Sequence, residues 1–455
     1  MSQFNRPLKA VSFAAIASAV LALSACGGGD DSPYKTLDGS QPQVIAHRGY
    51  SGMYPEQTRM AYEKAADAGA DMLELDMHMT RDCQLVARHN AWLGDNTNVA
   101  DVAKTNAEVA KRKRTTPGVK VNVKYPAIAS NGPAQYLSDQ LDPNDPKSVL
   151  KALIVDGEDH TNDWSISDFT MDELRTWIGG KILDNAADRP TDLNGKLPLI
   201  SVQDVIDIAS AKSKTLGRKI SVYAETKNPY WNNQQAIANG CGKPGSSPFE
   251  DAVLALLEKN KLNTKDSAIF LQSFDPASLK YMRKAGLKAK AVQLVDGNDI
   301  NYKDGSMGYI TTDEWTFISG RPYSWTLAGD ARTFGVMLTT AGLAEIKTYA
   351  DGIGPWKPEV VAHSVVPYKD GAGLKDVNTL KDTGLIDAAH KAGLIVHSFT
   401  FRNEAGRLAG IYKGDLVVEY LTYYRLGIDG VFTDFTPTGL KARDAYKKEL
   451  GVVVF

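Results

Sequence analysis

Short strand-like segments alternate with helical patterns along most of the 455-residue chain, and this alternation constrains the fold more than any other feature. It is typical of βα units, whose strands lie parallel in one sheet. Eight segments fit a strand, which is the number that a closed barrel needs. They are 43–47, 72–77, 219–225, 268–273, 290–294, 359–362, 395–400 and 430–433. The sequence therefore predicts an α/β fold, a (β/α)8 TIM barrel.

Two stretches interrupt the alternation. Residues 91 to about 165 are polar and rich in turn formers, and they follow the second predicted strand and a short hairpin arm at 85–89. Residues 296–335 are rich in Gly, Asp, Tyr and Trp and follow the fifth strand. Both are longer than plain connections, and in a barrel such segments shape the mouth of the site. We expect one barrel domain at 43–455 with these two insertions.

The N-terminus has the pattern of an export signal. Basic residues precede an apolar run at 10–23, which ends in Leu-Ser-Ala-Cys at 23–26. A signal peptide at 1–25 fits this pattern, and the run is too short to span a membrane. The ending resembles a bacterial lipobox, in which Cys26 is lipidated; a plain signal peptide with an incidental Cys is the alternative. We expect a periplasmic, lipid-anchored protein of the bacterial cell envelope, tethered through a flexible segment at 26–42.

Net charge argues against a broad electrostatic partner. The formal charge is −2, so the surface as a whole has no reason to attract nucleic acid or acidic lipid. We expect no nucleic-acid partner and contact with a membrane only through the lipid anchor. Any attraction for a phosphate must therefore be local.

The remaining cysteines, Cys83 and Cys241, lack a CxxC spacing and a neighbouring histidine cluster, so zinc is not expected. An oxidising envelope would permit a disulfide between them, but their distance in space decides whether they pair. Pairing stays open at this point. The expectation is that both are ordinary thiols.

Acidic residues are concentrated at the predicted carboxyl ends of two strands. Glu74 and Asp76 lie two positions apart on the second strand, so their side chains share one side. Two such carboxylates on a buried strand are unfavourable unless a positive charge lies between them, and a hard divalent cation supplies it. Glu225, on the third strand, adds a third carboxylate. Lys227 either balances that charge or grips a phosphate oxygen.

Two histidines and an arginine are predicted on the same face. His47 and Arg48 close the first strand, and His89 ends the hairpin arm, from which it can return toward His47. Taken singly, a histidine at a strand end is usually structural, a Glu-x-Asp pair is often chance, and a lysine is usually a surface charge. Their shared position favours an active site, because barrel enzymes keep their chemistry at the carboxyl ends of the strands.

These motifs resemble the glycerophosphodiester phosphodiesterase family, most closely its periplasmic bacterial branch. The resemblance runs from about residue 44 to 442, with the two insertions outside the clear matches. The matching segments are Ala46-His47-Arg48-Gly49, Pro55-Glu56-Gln57-Thr58, residues 74–82, His89, Glu225-Thr226-Lys227, 271–275, 396–402 and 430–435.

The resemblance implies hydrolysis of glycerophosphodiesters, such as deacylated phospholipids, to sn-glycerol 3-phosphate and an alcohol. It also implies one divalent cation, Ca²⁺ rather than Mg²⁺, since family members commonly use Ca²⁺ in the envelope. A neighbouring glycerol hydroxyl would attack phosphorus and give a cyclic phosphate. The implied site residues are His47 and His89 as acid and base, Arg48 and Lys227 as phosphate contacts, and Glu74, Asp76 and Glu225 as metal ligands.

The chain departs from the family pattern at three positions. Gln57 stands where Asn is usual, Asn90 where Asp is usual and Cys83 where Gly is frequent. None removes a proposed ligand, acid or base, but Asn90 puts the orientation and pKa of His89 in question.

Two other functions stay open. One is a phospholipase D-like or phosphoinositide-specific activity on the same barrel, and the other is a non-catalytic surface-binding lipoprotein, against which the retained acids and histidines argue.

Overall fold

The computed structural model describes residues 32–115, 119–121, 135–137, 153–183, 188–309 and 320–453. The predicted signal peptide and lipidation site, Cys26, lie outside the described residues. Among the helices that are described, none combines the length and the apolar character needed to cross a bilayer.

Eight parallel strands close into a barrel in chain order, because each strand pairs with the next and the last pairs with the first. The predicted (β/α)8 fold is confirmed. The barrel strands are β1 (Gln43–Ala46), β2 (Met72–Met79), β3 (Ser221–Thr226), β4 (Ile269–Ser273), β5 (Lys290–Val295), β6 (Gly352–Pro355), β7 (Ile395–Phe401) and β8 (Gly430–Thr433).

Helices follow the strands and cover the outside of the barrel, as right-handed βα connections require. Local signals mark several of their ends: Thr58 caps the first helix through its side chain, and Gly69 ends it at a φ of 112°. The larger helices are α1 (Arg59–Ala68), α2 (Val202–Leu216), α3 (Pro229–Ala238), α4 (Pro248–Lys259), α5 (Pro276–Lys284), α6 (Thr340–Lys347), α7 (Leu385–Lys391), α8 (Leu416–Leu426) and α9 (Thr436–Glu449).

The barrel interior is apolar at its lower end and polar at the carboxyl ends of the strands. Buried side chains such as Ile45, Met72 and Tyr223 pack together inside it. Side chains two positions apart on a strand point to the same side. The residues two or four positions further along these strands therefore point into the mouth of the barrel, where they include His47 and Glu225.

The predicted sixth strand at 359–362 is wrong. The sixth barrel strand is Gly352–Pro355, and Val361–Ser364 belongs to an antiparallel hairpin outside the barrel. A Gly-Ile-Gly-Pro segment has few of the side chains that signal a strand. The structure explains the glycine, because a Cβ atom on Gly352 would clash with Cγ1 of Ile395.

The first insertion has its own hydrophobic core. It follows an arm, Leu85–Ala87, that pairs antiparallel with β2, and it runs past the predicted limit at 165 to the start of α2. Its buried residues include Leu93, Val155 and Phe169, and they form a cluster separate from the layer between strands and helices. The described part of the insertion is therefore packed around its own core.

Cys83 and Cys241 form a disulfide with their Cα atoms 5.6 Å apart, so the expectation of ordinary thiols is wrong. Cys83 lies in the turn between β2 and the arm, and Cys241 follows α3. The two residues are 158 positions apart, and no local pattern signals a contact over that separation. The bond ties the base of the first insertion to the third βα unit.

The second excursion lies between β5 and α6. Its described part contains a small hairpin, formed by Asp299–Asn301 and Ser306–Gly308, and a short helix, Tyr323–Leu327. It brings Pro322 and Tyr323 to the mouth of the barrel. The described part of the excursion therefore contributes to the wall of the site.

Candidate active site

A cavity of about 350 Å³ opens at the carboxyl ends of the barrel strands. All seven side chains that the sequence nominated for the site line it, although they come from separate parts of the chain. They are His47, Arg48, Glu74, Asp76, His89, Glu225 and Lys227.

Three carboxyl groups meet at one point of this cavity. Glu74 and Asp76 extend from β2, and the neighbouring strand β3 places Glu225 in register with Asp76. One oxygen from each of the three lies within 4.8 Å of the others, and all three side chains are buried. Adjacent strands thus turn two distant sequence segments into a single cluster.

The chemistry of this acidic trio fits a hard divalent cation. Burial and the nearby charge of Asp76 raise the pKa of Glu74 well above its usual value, and burial raises that of Glu225 to about 8. Ionised carboxylates this close repel one another in a poorly solvated site, and a cation among them relieves the repulsion. All three offer oxygen, the donor that Ca²⁺ and Mg²⁺ prefer. The trio could therefore hold a metal ion.

Amide side chains fix the orientation of two of these acids. Gln57 donates from Nε2 to Oδ2 of Asp76 at 2.6 Å and accepts from the Asp76 backbone N–H at 3.2 Å. Gln272, on β4, donates from Nε2 to Oε1 of Glu74 at 3.2 Å. Gln57, which stands where the family usually has Asn, therefore still donates a hydrogen bond to Asp76, a predicted metal ligand.

Arg48 is held by carboxylates on several sides. Its backbone N–H donates to Oε2 of Glu74 at 2.7 Å, and its Nη1 donates to Oε2 of Glu56 at 2.9 Å. Its Nε lies 3.5 Å from Oδ2 of Asp76. Glu56 also accepts from Nδ2 of Asn96, in the first insertion, at 2.9 Å. These contacts fix a buried guanidinium beside the acidic trio.

Lys227 brings a second positive charge to the same wall. Its Nζ lies 3.1 Å from Oε1 of Glu225 and 3.7 Å from Oδ1 of Asp76. Burial opposes the charged ammonium, but Glu225 and Asp76 outweigh it and raise the pKa of Lys227. The side chain therefore stays protonated at neutral pH, within reach of an anion bound in the cavity.

His47 is oriented by Asp434, which directly follows β8. Nδ1 of the imidazole lies 2.6 Å from Oδ1 of Asp434. The other carboxylate oxygen accepts from Nη2 of Arg189 at 2.6 Å and from Nε of Arg402 at 2.9 Å. Because a carboxylate only accepts, Nδ1 carries the proton and Nε2 of the neutral ring keeps its lone pair. Burial and the charge of Arg48 lower the pKa of His47.

His89 is oriented by an amide instead of a carboxylate. Its Nδ1 lies 2.5 Å from Oδ1 of Asn90, whose Nδ2 donates to Asp95 at 3.0 Å. The oxygen of Asn90 therefore faces the ring, so Nδ1 again carries the proton. Burial, followed by the charges of Arg48 and Lys227, lowers the pKa of His89 well below its usual value. Asn90 thus keeps His89 oriented without adding the negative charge of the family's usual Asp.

His78 supports His89 from below. Its Nδ1 accepts from Nδ2 of Asn232 at 2.9 Å, so its Nε2 donates to the backbone oxygen of His89 at 3.0 Å. Burial lowers the pKa of His78 to about 4, so the ring is neutral near pH 7. It does not line the cavity and acts through the backbone of its neighbour.

Several residues of the site had no role assigned from the sequence. Asp434 and Arg402 lie in segments that matched the family, and their position after a strand was the available signal. Glu56 lies in a matching segment too. Arg189 lies in the last part of the first insertion, before α2 and outside every motif, and only the folded chain brings it to Asp434.

Comparisons with known proteins agree with this geometry. The family model described as the glycerophosphoryl diester phosphodiesterase family matches residues 47–438. A glycerophosphodiester phosphodiesterase of Arabidopsis thaliana is 29% identical over 406 residues, covering 88% of this chain and 86% of that protein. One of Haemophilus influenzae is 24% identical over 443 residues, covering 95% of this chain and 98% of that protein.

A solved structure shares the fold. It is a protein of Silicibacter pomeroyi assigned to the glycerophosphoryl diester phosphodiesterases, with a TM-score of 0.50 and 15% sequence identity. The alignment covers 93% of this chain and 100% of that one. At this identity the likeness speaks for the barrel architecture alone.

Proposed function

The chain belongs to the glycerophosphoryl diester phosphodiesterase family, and from that premise we propose that it hydrolyses glycerophosphodiesters to sn-glycerol 3-phosphate and an alcohol. The observation that carries the proposal is a convergence in one cavity. Three carboxylates that lie within 4.8 Å of one another share the cavity with two histidines, each held by a hydrogen bond at Nδ1.

Hydrolysis of a phosphodiester first requires positive charge beside its oxygens, because the anion repels an incoming nucleophile. Arg48 and Lys227 supply fixed charges at the cavity wall, and a guanidinium matches phosphate oxygens in geometry. Glu74, Asp76 and Glu225 would hold the cation, which when bound adds Lewis-acid stabilisation of the phosphate charge.

The reaction also requires a proton to move at each end of the phosphorus. His47 and His89 each keep Nδ1 protonated and leave Nε2 for the substrate. One, as the neutral imidazole, accepts the proton of the glycerol hydroxyl at Nε2 as its oxygen attacks phosphorus. The other, as the imidazolium with a proton on each nitrogen, donates its Nε2 proton to the alcohol oxygen as the bond from that oxygen to phosphorus breaks. The product of this step is a cyclic phosphate. Water then opens the ring, with the two histidines in reversed roles.

Ca²⁺ is the proposed cation, and the periplasm is the proposed compartment. The Cys83–Cys241 disulfide supports an oxidising environment, since such bonds are rare in the cytosol. We expect Cys26 to carry the lipid anchor, so Cys26→Ser should release the protein from the membrane fraction into the soluble periplasm. Membrane association that survives this substitution would remove the anchor from the proposal.

The test of the function uses purified protein and glycerophosphocholine, with sn-glycerol 3-phosphate and choline measured as products. We expect activity that EDTA abolishes and that Ca²⁺ restores better than Mg²⁺. Activity that survives complete chelation would contradict the metal assignment. Faster turnover of sphingomyelin would favour a phospholipase D-like enzyme. Faster turnover of phosphatidylinositol would favour a phosphoinositide-specific enzyme. If no diester were hydrolysed, a surface-binding lipoprotein would be favoured.

A further inference from the structure

A hairpin of the first insertion reaches the catalytic cavity. Its strands, Ile154–Val155 and Glu158–Asp159, are joined by Asp156 and Gly157, which have φ values of 47° and 89°. Positive φ at both positions is typical of the tight turn that fits strand twist, and Asp-Gly favours it. Leu153 and Val155 anchor the hairpin in the core of the insertion. The position of its tip is therefore set by packing.

Asp156, at this tip, lines the same cavity as the proposed catalytic groups. The side chain is only 7% exposed, and the mechanism above does not use it. Oδ2 accepts from Nδ2 of Asn228 at 2.9 Å, whereas Oδ1 is buried and has no hydrogen-bond partner among the described residues. The backbone of Trp231 also lies near enough to this carboxyl group to lower its pKa, but less than burial raises it. No cationic side chain in the described part of the chain forms an ion pair with it.

Asp275, on the same cavity wall, provides a contrast. Its two oxygens accept from the side chain and backbone of Ser324 and from the backbone of Ala277, so it is satisfied within the protein. Its charge and that of Glu158 add to the burial that raises the pKa of Asp156, to about 7. A buried carboxylate with an unused oxygen is unfavourable unless a ligand supplies a donor or a positive charge.

Aromatic side chains share this cavity with Asp156, and together they favour a positively charged ligand. They are Trp92, Phe274 and Tyr323. The indole of Trp92 is fixed, because its Nε1 donates to Asp95 and its ring stacks on His160. Aromatic rings together with a carboxylate are the combination that binds ammonium and quaternary ammonium groups.

A second metal ion does not fit this position. Within the described residues, the groups of three metal-ligating side chains that lie close enough to share an ion comprise the acidic trio alone, and Asp156 is not part of it. A single carboxylate beside aromatic rings suits an organic cation better than a hard metal ion, which prefers several oxygen ligands.

We propose that Asp156 determines specificity by contacting a positively charged group on the alcohol moiety of the diester, such as an amine or a quaternary ammonium. The inference rests on the proposed function, because it concerns the leaving alcohol of that reaction. The barrel wall would then hold the phosphate, and the tip of the insertion would select the group attached to it.

The test compares the Asp156→Asn variant with the wild-type enzyme, both loaded with metal, on three substrates. It is run at pH 8, where Asp156 is mostly ionised. Asn keeps an acceptor for Asn228 and tolerates positive φ, so the substitution removes the charge and little else. We expect kcat/KM for glycerophosphocholine and glycerophosphoethanolamine to fall by at least about tenfold, as for loss of a contact to a charged group. We expect kcat/KM for glycerophosphoglycerol, whose alcohol is neutral, to stay the same.

Asp159→Asn is the matched control, since it removes one negative charge from the same hairpin at a position outside the cavity. It should leave the ratio of kcat/KM values between charged and neutral alcohols unchanged. An equal loss on all three substrates by Asp156→Asn would overturn the proposal, because it would assign Asp156 to the shared glycerol or to folding. Unchanged discrimination would overturn it as well.

A binding measurement separates this inference from the proposed function. Tetramethylammonium should bind the wild-type protein in calorimetry and bind Asp156→Asn more weakly, whether or not either protein turns over a diester. If no glycerophosphodiester is hydrolysed, the proposed function fails while this result still supports a cation subsite. Equal binding to both proteins, or binding to neither, would overturn the inference.

Discussion

The two sides of the catalytic cavity are built in different ways. On the barrel side, strand ends carry His47, Glu74 and Glu225 to the mouth, and the register between neighbouring strands sets their spacing. On the insertion side, Asp156 and Arg189 arrive on a hairpin tip and a long connection that belong to no barrel strand.

This difference separates the general chemistry of the site from its selectivity. Strands of a parallel sheet lie at a fixed spacing, so groups on adjacent strand ends meet almost irrespective of the loops that follow. An insertion can change in length and sequence while the barrel stays the same, which makes it suited to select substrates. We therefore expect substitutions on the barrel side to abolish the reaction and those on the insertion side to modify it.

The largest effects are expected on the barrel side. Glu74→Ala removes a proposed metal ligand and His47→Ala a proposed acid or base, so each should lower turnover by at least about two orders of magnitude. Steady-state kinetics on glycerophosphocholine checks this. Glu63→Ala on α1 is the control, since Glu63 is a solvent-facing carboxylate whose ion-pair partner among the described residues is Arg59. Full turnover in Glu74→Ala or His47→Ala would exclude that residue from the site.

The next effect tests how the insertion side supports the barrel side. Asp434→Asn should lower kcat by about ten- to a hundredfold, because outer partners of active groups usually contribute that much. Arg189→Met should lower it less, since Arg402 still bonds to Asp434. We expect the two effects to be non-additive in the double variant, because both act through the orientation of His47. Strict additivity would show that Arg189 acts elsewhere; exposed Arg407→Met serves as the control.

A smaller effect concerns the pH profile. Burial and nearby positive charges lower the pKa of His89, and Asn90 adds no opposing charge. Asn90→Asp would place a carboxylate beside Nδ1, stabilise the protonated ring and so raise the pKa of His89. The limb of the kcat/KM profile that reports His89 should move to higher pH, measured against wild type in the same buffers. An unshifted profile would show that Asn90 does not face His89 during catalysis.

The smallest effect on turnover is expected from the disulfide. Replacing Cys83 and Cys241 by Ser removes a cross-link between residues 158 positions apart in the chain. The free energy of unfolding should therefore fall by about 2–5 kcal/mol. Because neither sulfur lines the cavity, kcat at 25 °C should stay near the wild-type value. Urea unfolding and kinetics with and without reductant check both points. The double variant should not respond to reductant. If activity fell in parallel with stability, the prediction that the disulfide affects stability and not turnover would be wrong.

Much of the barrel could be predicted from the sequence because its signals are local. Seven of the eight predicted segments coincide with or overlap barrel strands, and all seven nominated site residues line one cavity. The sixth strand could not be placed, because Gly352 and Gly354 are selected by close contacts with Ile395 and Leu294 and not by strand propensity. Close contacts of this kind leave no periodic pattern.

The sequence by itself determined the fold class, the acidic trio and the two histidines, since strand parity and position relative to strand ends are encoded within a few residues. Only the tertiary structure decided that Asp434 holds His47, that Cys83 pairs with Cys241 and that Asp156 reaches the cavity. The physical reason is range. Each of these contacts joins segments that are far apart in the chain, and packing of the whole molecule sets their distance.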